Sequence, residues 1–414
     1  MPPRKQAASA SSAASLPQLA DFSIDTLSSA FDAHPLVDMY AGWTPIQQTL
    51  FWRQLSPAFP AVLNDVRMCD PTSIPSSSPS RRVLGQILLL LDHHVSLPDP
   101  NLNSASLQPI VGHLHADLVQ LPAPDQHQAL AVIESWYLKR LPDHALLAPN
   151  LFCLLLLLCL SPTPKPSDYK RLFSVRDALS LLDLEDASAR SLRTLLLRAF
   201  MSEPFSRAAD GKRFLSHVLA TTPLLVADAY AAVRNQIPAA SKPYLAAVGD
   251  ILYRAWADAA TPAARQTLEY SLFQDLMHRA VHAQPTGAFI TMAGRLRKVL
   301  GGLHAKKAEA GVDEMLCRLY EPVLWRAMRV ANPVVRRNAA ALFSDVFPLQ
   351  NVEDEERTID EQMQRQFEAI DVRGKWEGKG RKGEEKGKKR DREEGKSVVV
   401  GILDCVFVSM IHDT

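Results

Sequence analysis

Tyr320–Gln350 reads YEPVLWRAMRVANPVVRRNAAALFSDVFPLQ and predicts two amphipathic helices meeting at Asn332-Pro333. Asn is a good N-cap, and Pro suits the first helical position because the amide it lacks would have had no partner there. Before the break, Leu324, Ala327, Met328 and Ala331 fall at spacings of three and four; after it, Val334, Val335, Ala339, Leu342, Phe343 and Val346 do the same. Each helix therefore carries one apolar stripe, which it cannot bury without neighbours.

The same punctuation recurs outward from this pair. Thr44-Pro45, Thr222-Pro223 and Thr261-Pro262 each have the form of a cap followed by a first turn. Helices are predicted near 44–56, 81–97, 107–120, 125–140, 144–160, 168–183, 187–202, 210–220, 223–236, 241–259 and 262–283, and again near 287–305, 312–330, 333–347 and 357–370. Alternating β-branched runs are almost absent. A helix pair with Pro at the turn and Val335-Arg336 early in its second member resembles a HEAT-type repeat, and the fold expected is all-α, a HEAT-like solenoid or α-α superhelix with disordered tails.

Four regions are expected along the chain. Residues 1–20 begin MPPRKQAASASSAAS, with two cations and no apolar core behind them, and read as a disordered leader rather than a signal peptide. Residues 21–166 form an N-terminal helical lobe, closed by the Pro-rich break SPTPKPSD at Ser161–Asp168. Residues 167–371 form the better-patterned array. Residues 372–414 are a low-complexity tail: Asp371–Lys396 carries eleven Lys/Arg against seven Asp/Glu with almost nothing apolar, and the closing SVVVGILDCVFVSMIHDT has no helical period. This tail, from about Gly374 onward, reads as a truncated or misread end, since an array stopped mid-course leaves an apolar face uncapped.

At 414 residues and 47% hydrophobic content the chain can bury a large core, as two or three lobes or one extended array. A net charge of +1 gives no global pull toward nucleic acid or membrane, so any such binding must come from local patches. The longest apolar run, Leu151–Leu160, is about half of a bilayer span and reads as a buried core helix. Five scattered cysteines without a C-x-x-C pair argue against a disulfide framework or structural zinc and for a reducing compartment.

Chemistry finds little purchase in the sequence. Gly395-Lys396-Ser397 ends like a phosphate-binding loop, but Arg390 stands where its first Gly should be and no strand precedes it. His93 and His94 are adjacent on a helix, so they point about 100° apart, and they read as solvated or helix-end residues rather than as ligands. Cys153 and Cys159 lie on an apolar helix with no cation to lower a thiol pKa and read as inert packing. No catalytic, cofactor-binding or metal-binding residue is assigned.

Arg295, Arg297, Lys298, Lys306 and Lys307 cluster before the Asn332-Pro333 unit, and on stacked helices such cations can line a ridge and neutralise DNA phosphates; a solvated face is the equally weighted reading. Trp325, Pro333, Val335, Arg336, Leu342 and Phe343 are assigned to repeat core or packing.

ADGKRFLSHVL (209–219), AVRNQIP (232–238), ILYRAWADA (251–259), the run GVDEMLCRLYEPVLWRAMRVANPVVRRNAAALFSDVFPLQ (311–350) and IDEQMQRQFEAI (359–370) together resemble the G-type HEAT-repeat non-SMC subunits of condensin II, the chromosome-organising complex. Members of that family are several times longer beyond this point and continue with further HEAT repeats, whereas this chain turns into the Lys/Gly/Glu run. The resemblance implies a non-catalytic nuclear subunit without cofactor. It implies that the subunit binds the kleisin and, through it, the SMC ATPase pair and a second HEAT-repeat subunit. It also implies non-specific DNA or chromatin contact in mitotic chromosome condensation, and no role at a membrane. The competing class is a helical-repeat adaptor of transport or phosphatase-scaffold type, which would have no salt-dependent DNA affinity.

Overall fold

A computed structural model describes residues 35–69, 78–97, 104–285, 291–347 and 349. The expected leader, the predicted 357–370 helix, the Gly395-Lys396-Ser397 motif and the tail lie outside these residues. Among the described residues the fold is helical throughout, with no strand. The chain divides into two compact units, one ending at Phe214 and the other starting at Leu215; the SPTPKPSD break lies within the first.

The first unit contains α1 (Leu36–Ala41), α2 (Pro45–Met68), α3 (Pro79–Ser96), α4 (Ser104–Asp117), α5 (Ala123–Leu138), α6 (Ala148–Cys159), α7 (Pro166–Ser174), α8 (Arg190–Met201) and α9 (Glu203–Arg207). α2 starts on a full capping box: the Thr44 hydroxyl accepts from the Gln47 amide at 3.4 Å, and the Gln47 side chain accepts from the Thr44 amide at 2.8 Å. It runs well past the expected end at 56, through Pro57 and Pro60. Its stripe of Phe51, Trp52, Leu55, Phe59, Val62, Leu63 and Val66 is buried, and packing against α3 and α4 outweighs the backbone bonds that the two prolines remove.

α3 packs on α5, with buried Arg81 donating from Nε to Asp125 at 2.9 Å. α6 buries Leu151, Phe152, Leu154, Leu155, Leu156 and Cys159, yet Leu157 is 41% exposed, so the all-leucine run is not enclosed on every side as expected. α7 folds back on α6, and the Tyr169 hydroxyl reaches the Cys159 carbonyl at 3.4 Å.

α10 (Ala209–Thr221) contains the dividing point. The second unit continues with α11 (Pro223–Gln236), α12 (Lys242–Asp258), α13 (Pro262–Leu268), a π-helical turn at Glu269–Phe273, α14 (Gln274–His282), α15 (Met292–His304), α16 (Val312–Met328) and α17 (Pro333–Val346). α12 packs on α15, α14 on α15, α16 and α17, and α16 on α17. These partners are all close in sequence, which is the contact pattern expected where helix pairs stack on their neighbours.

α13 and α14 form one rod through the π turn. That turn brings Glu269 inward, where it accepts from Trp256 Nε1 at 2.8 Å and from Arg318 at 2.7 Å. No helix among the described residues is long and apolar enough to cross a membrane.

Candidate functional site

The Asn332-Pro333 junction forms as its residues dictate. The Asn332 side chain accepts from the Val334 amide at 2.9 Å, and Pro333 takes the first position of α17. α16 and α17 lie against each other, with Leu324, Ala327, Val335, Ala339, Leu342 and Val346 buried.

Of the packing residues assigned from sequence, Val335 and Leu342 are buried, whereas Trp325 and Phe343 are only half-buried and Pro333 is exposed. Phe343 stacks on Phe347 with ring centroids 4.5 Å apart. Arg336 is half-buried and donates to the Val330 and Ala331 carbonyls at 3.0 and 2.8 Å, so it braces the turn between α16 and α17.

Of the five cations proposed to line a phosphate ridge, four have separate partners within the second unit. Arg295 donates to the carbonyls of Ile237 and Ala240, at 3.4 and 2.6 Å, just beyond the end of α11. Arg297 forms a bidentate pair with Asp345 at 2.6 and 2.7 Å, and that bonding raises its already high pKa further. Lys306 sits 3.5 Å from Glu309 and over the Tyr253 ring, and Lys307 donates to the Val346 carbonyl at 3.0 Å. Lys298 is exposed and joins no ion pair among the described residues. Four of the five therefore tie α15 and the turn after it to other parts of the second unit.

Behind Arg297 lies a polar pair that the sequence did not reveal. His304 and Tyr320 are both buried, 2.7 Å apart through Nε2 and the phenol oxygen. Burial drives the His304 pKa down to about 4, with Lys307 and Arg297 adding to the effect and Asp345 opposing it, while burial keeps Tyr320 protonated. A neutral imidazole and a protonated phenol therefore share this hydrogen bond. Asn338 is a third concealed tie: its Nδ2 donates to the carbonyls of Val281 and Ala283, at 3.1 and 2.9 Å, at the end of α14. The one available signal was Asp345, the only acid in 322–350, placed on the stripe edge of α17 opposite a segment, 276–308, that has none.

The remaining clusters supply no converging ligands. His93 is exposed at the end of α3, while His94 is buried rather than solvated, because the stripe of α3 turns it inward beside Val95. No group of His, Cys, Asp and Glu among the described residues has the arrangement of a metal site. Burial pushes the Cys159 thiol up to about 12 and raises that of Cys153, so neither is primed as a nucleophile.

Comparison with known proteins fits this geometry. The family model described as "Condensin II non structural maintenance of chromosomes subunit" matches residues 198–351, from the end of α8 past α17. A condensin-2 complex subunit G2 from Xenopus laevis is 31% identical over 262 residues, covering 63% of this chain and 22% of the relative. The protein of the same name from Mus musculus is 27% identical over 299 residues, covering 72% and 26%; that from Homo sapiens is 28% identical over 280 residues, covering 67% and 24%. The chain thus spans about a quarter of the length of the curated relatives it matches. Matched through the helix pairs that surround the Asn332-Pro333 junction, the chain is a homologue of condensin-2 complex subunit G2.

Proposed function

We propose that this chain acts as a non-catalytic scaffold in a condensin II assembly on nuclear chromosomes. In this role it engages the kleisin subunit and, through it, the SMC ATPase pair and a second HEAT-repeat subunit, and it meets DNA through phosphates during chromosome condensation. The observation that carries the reading is the coincidence of the family match at 198–351 with consecutive helices stacked on near neighbours. Such stacks present extended surfaces on which a peptide segment can lie, and they need no enclosed pocket.

Two measurements on the 414-residue chain test this reading. Co-expression with the kleisin of the same complex is expected to yield a co-purifying pair, and a labelled DNA duplex is expected to bind with an affinity that falls steeply with salt. Absence of both would overturn the proposal.

A further inference from the structure

Seven Ser-Pro or Thr-Pro pairs occur in the sequence, and the helices account for five of them. Thr44, Ser78, Thr222 and Thr261 are the N-cap residues of α2, α3, α11 and α13, each with its Pro in the first turn. Ser56-Pro57 lies inside α2. The other two, Ser161-Pro162 and Thr163-Pro164, start no helix. They stand in tandem between α6, which ends at Cys159, and α7, which begins at Pro166. Capping does not explain them, because Lys165 is the cap of α7 and its amide donates to the Asp168 carboxylate at 3.0 Å.

The hydroxyls also differ in their surroundings. The Thr44 and Thr261 oxygens accept from the amides of Gln47 and Ala264, at 3.4 and 3.2 Å, and the Ser78 oxygen accepts from Cys69 Sγ at 3.3 Å. Thr163 is exposed, and neither its hydroxyl nor its amide is hydrogen-bonded among the described residues. Ser161 is half-buried, with its amide donating to the Leu158 carbonyl at 3.2 Å. A proline lacks the amide N–H that would continue a helix and disfavours the helical region for the residue before it. Thr163, between Pro162 and Pro164, is therefore a solvent-facing hydroxyl that no regular structure claims.

We propose that Thr163 is a phosphorylation site for a proline-directed protein kinase. The Thr163 oxygen attacks the γ-phosphorus of ATP, forming an O–P bond as the bond from that phosphorus to the β–γ bridging oxygen breaks. The electron pair leaves with ADP, and the hydroxyl proton passes to the base of the kinase. The product carries about −1.5 to −2 charge at neutral pH. Lys165 is the one charged residue in 160–167, so the modification turns a cationic segment into an anionic one. This site is independent of the scaffold role proposed above.

The test incubates the folded 414-residue chain with magnesium ATP and either a cyclin-dependent or a mitogen-activated kinase, both proline-directed, and locates phosphate by peptide mass spectrometry. Phosphate at Thr163 is expected to exceed that at Thr44, Thr222 or Thr261 by at least about tenfold, because a helix start must open locally before it can enter a kinase cleft. Thr163→Ala removes an exposed side chain that makes no bond, so it is expected to melt with the wild type and to lose most of the incorporated phosphate. Ser161→Ala is expected to keep it. No phosphate at Thr163 with either kinase, equal labelling of the capping threonines, or transfer to Ser161 in its place overturns the assignment.

Discussion

His304 is the residue whose chemistry depends most on the fold. Its ring is buried, is hydrogen-bonded to Tyr320, and has a pKa of about 4 in place of the usual value of 6.5. The sign follows directly: between about pH 6.5 and 4 the unfolded chain binds a proton at this position that the folded chain refuses, so stability falls as pH drops through that window. The full difference is on the order of 3 kcal/mol, reached only near pH 4. Urea midpoints measured from pH 7 to pH 5 are expected to decline for the wild type, with His304→Asn flattening that decline. An unchanged slope in the variant would mean that the imidazole takes up its proton without cost. The neighbouring pair Arg297–Asp345 is about one-third exposed on each side and contributes little by comparison, on the order of 1 kcal/mol.

At the scale of elements, α12 and α15 cross with their backbones in contact. A Cβ placed on Gly249 would lie 2.3 Å from the Val299 carbonyl oxygen, and one on Gly302 would lie 2.5 Å from the Gly249 carbonyl carbon. The two backbones touch, so nothing but glycine fits at either point without the helices moving apart. Gly301, one residue away, has open space around the same construction. Gly249→Ala is therefore expected to destabilise the chain by about 1 to 3 kcal/mol through overpacking, while Gly301→Ala stabilises it by roughly 0.5 to 1 kcal/mol through helix propensity. Chemical denaturation of both variants checks this, and losses of similar size would refute the crossing.

That contrast also marks the limit of what the sequence made legible. Stripe periodicity and cap-plus-proline starts located most helices, because both signals are local. They stopped α2 too early, since tertiary packing rather than propensity carries it past Pro57 and Pro60, and they passed over the short α1 and α9. Glycine pairs in a helix look alike in sequence, so only the crossing separates Gly302 from Gly301. The cations before α16 were visible as a cluster, but the partners of Arg295, Arg297 and Lys307 come from residues about 40 to 60 positions away, which no local pattern encodes.

Across the molecule, the helices of the second unit draw their partners from within a few places in chain order. Stability in such a stack is approximately a sum over each element and its neighbours, so damage should remain local. Leu342, fully buried in α17, supplies the test. Leu342→Ala is expected to cost about 2 to 5 kcal/mol where it acts. Amide hydrogen exchange should then quicken through α14, α16 and α17, while α2, α3 and α5 in the first unit keep their wild-type protection. Equal loss of protection in both units would show instead that the chain opens as one cooperative body, and contacts between near neighbours would then be insufficient to describe how it is held together.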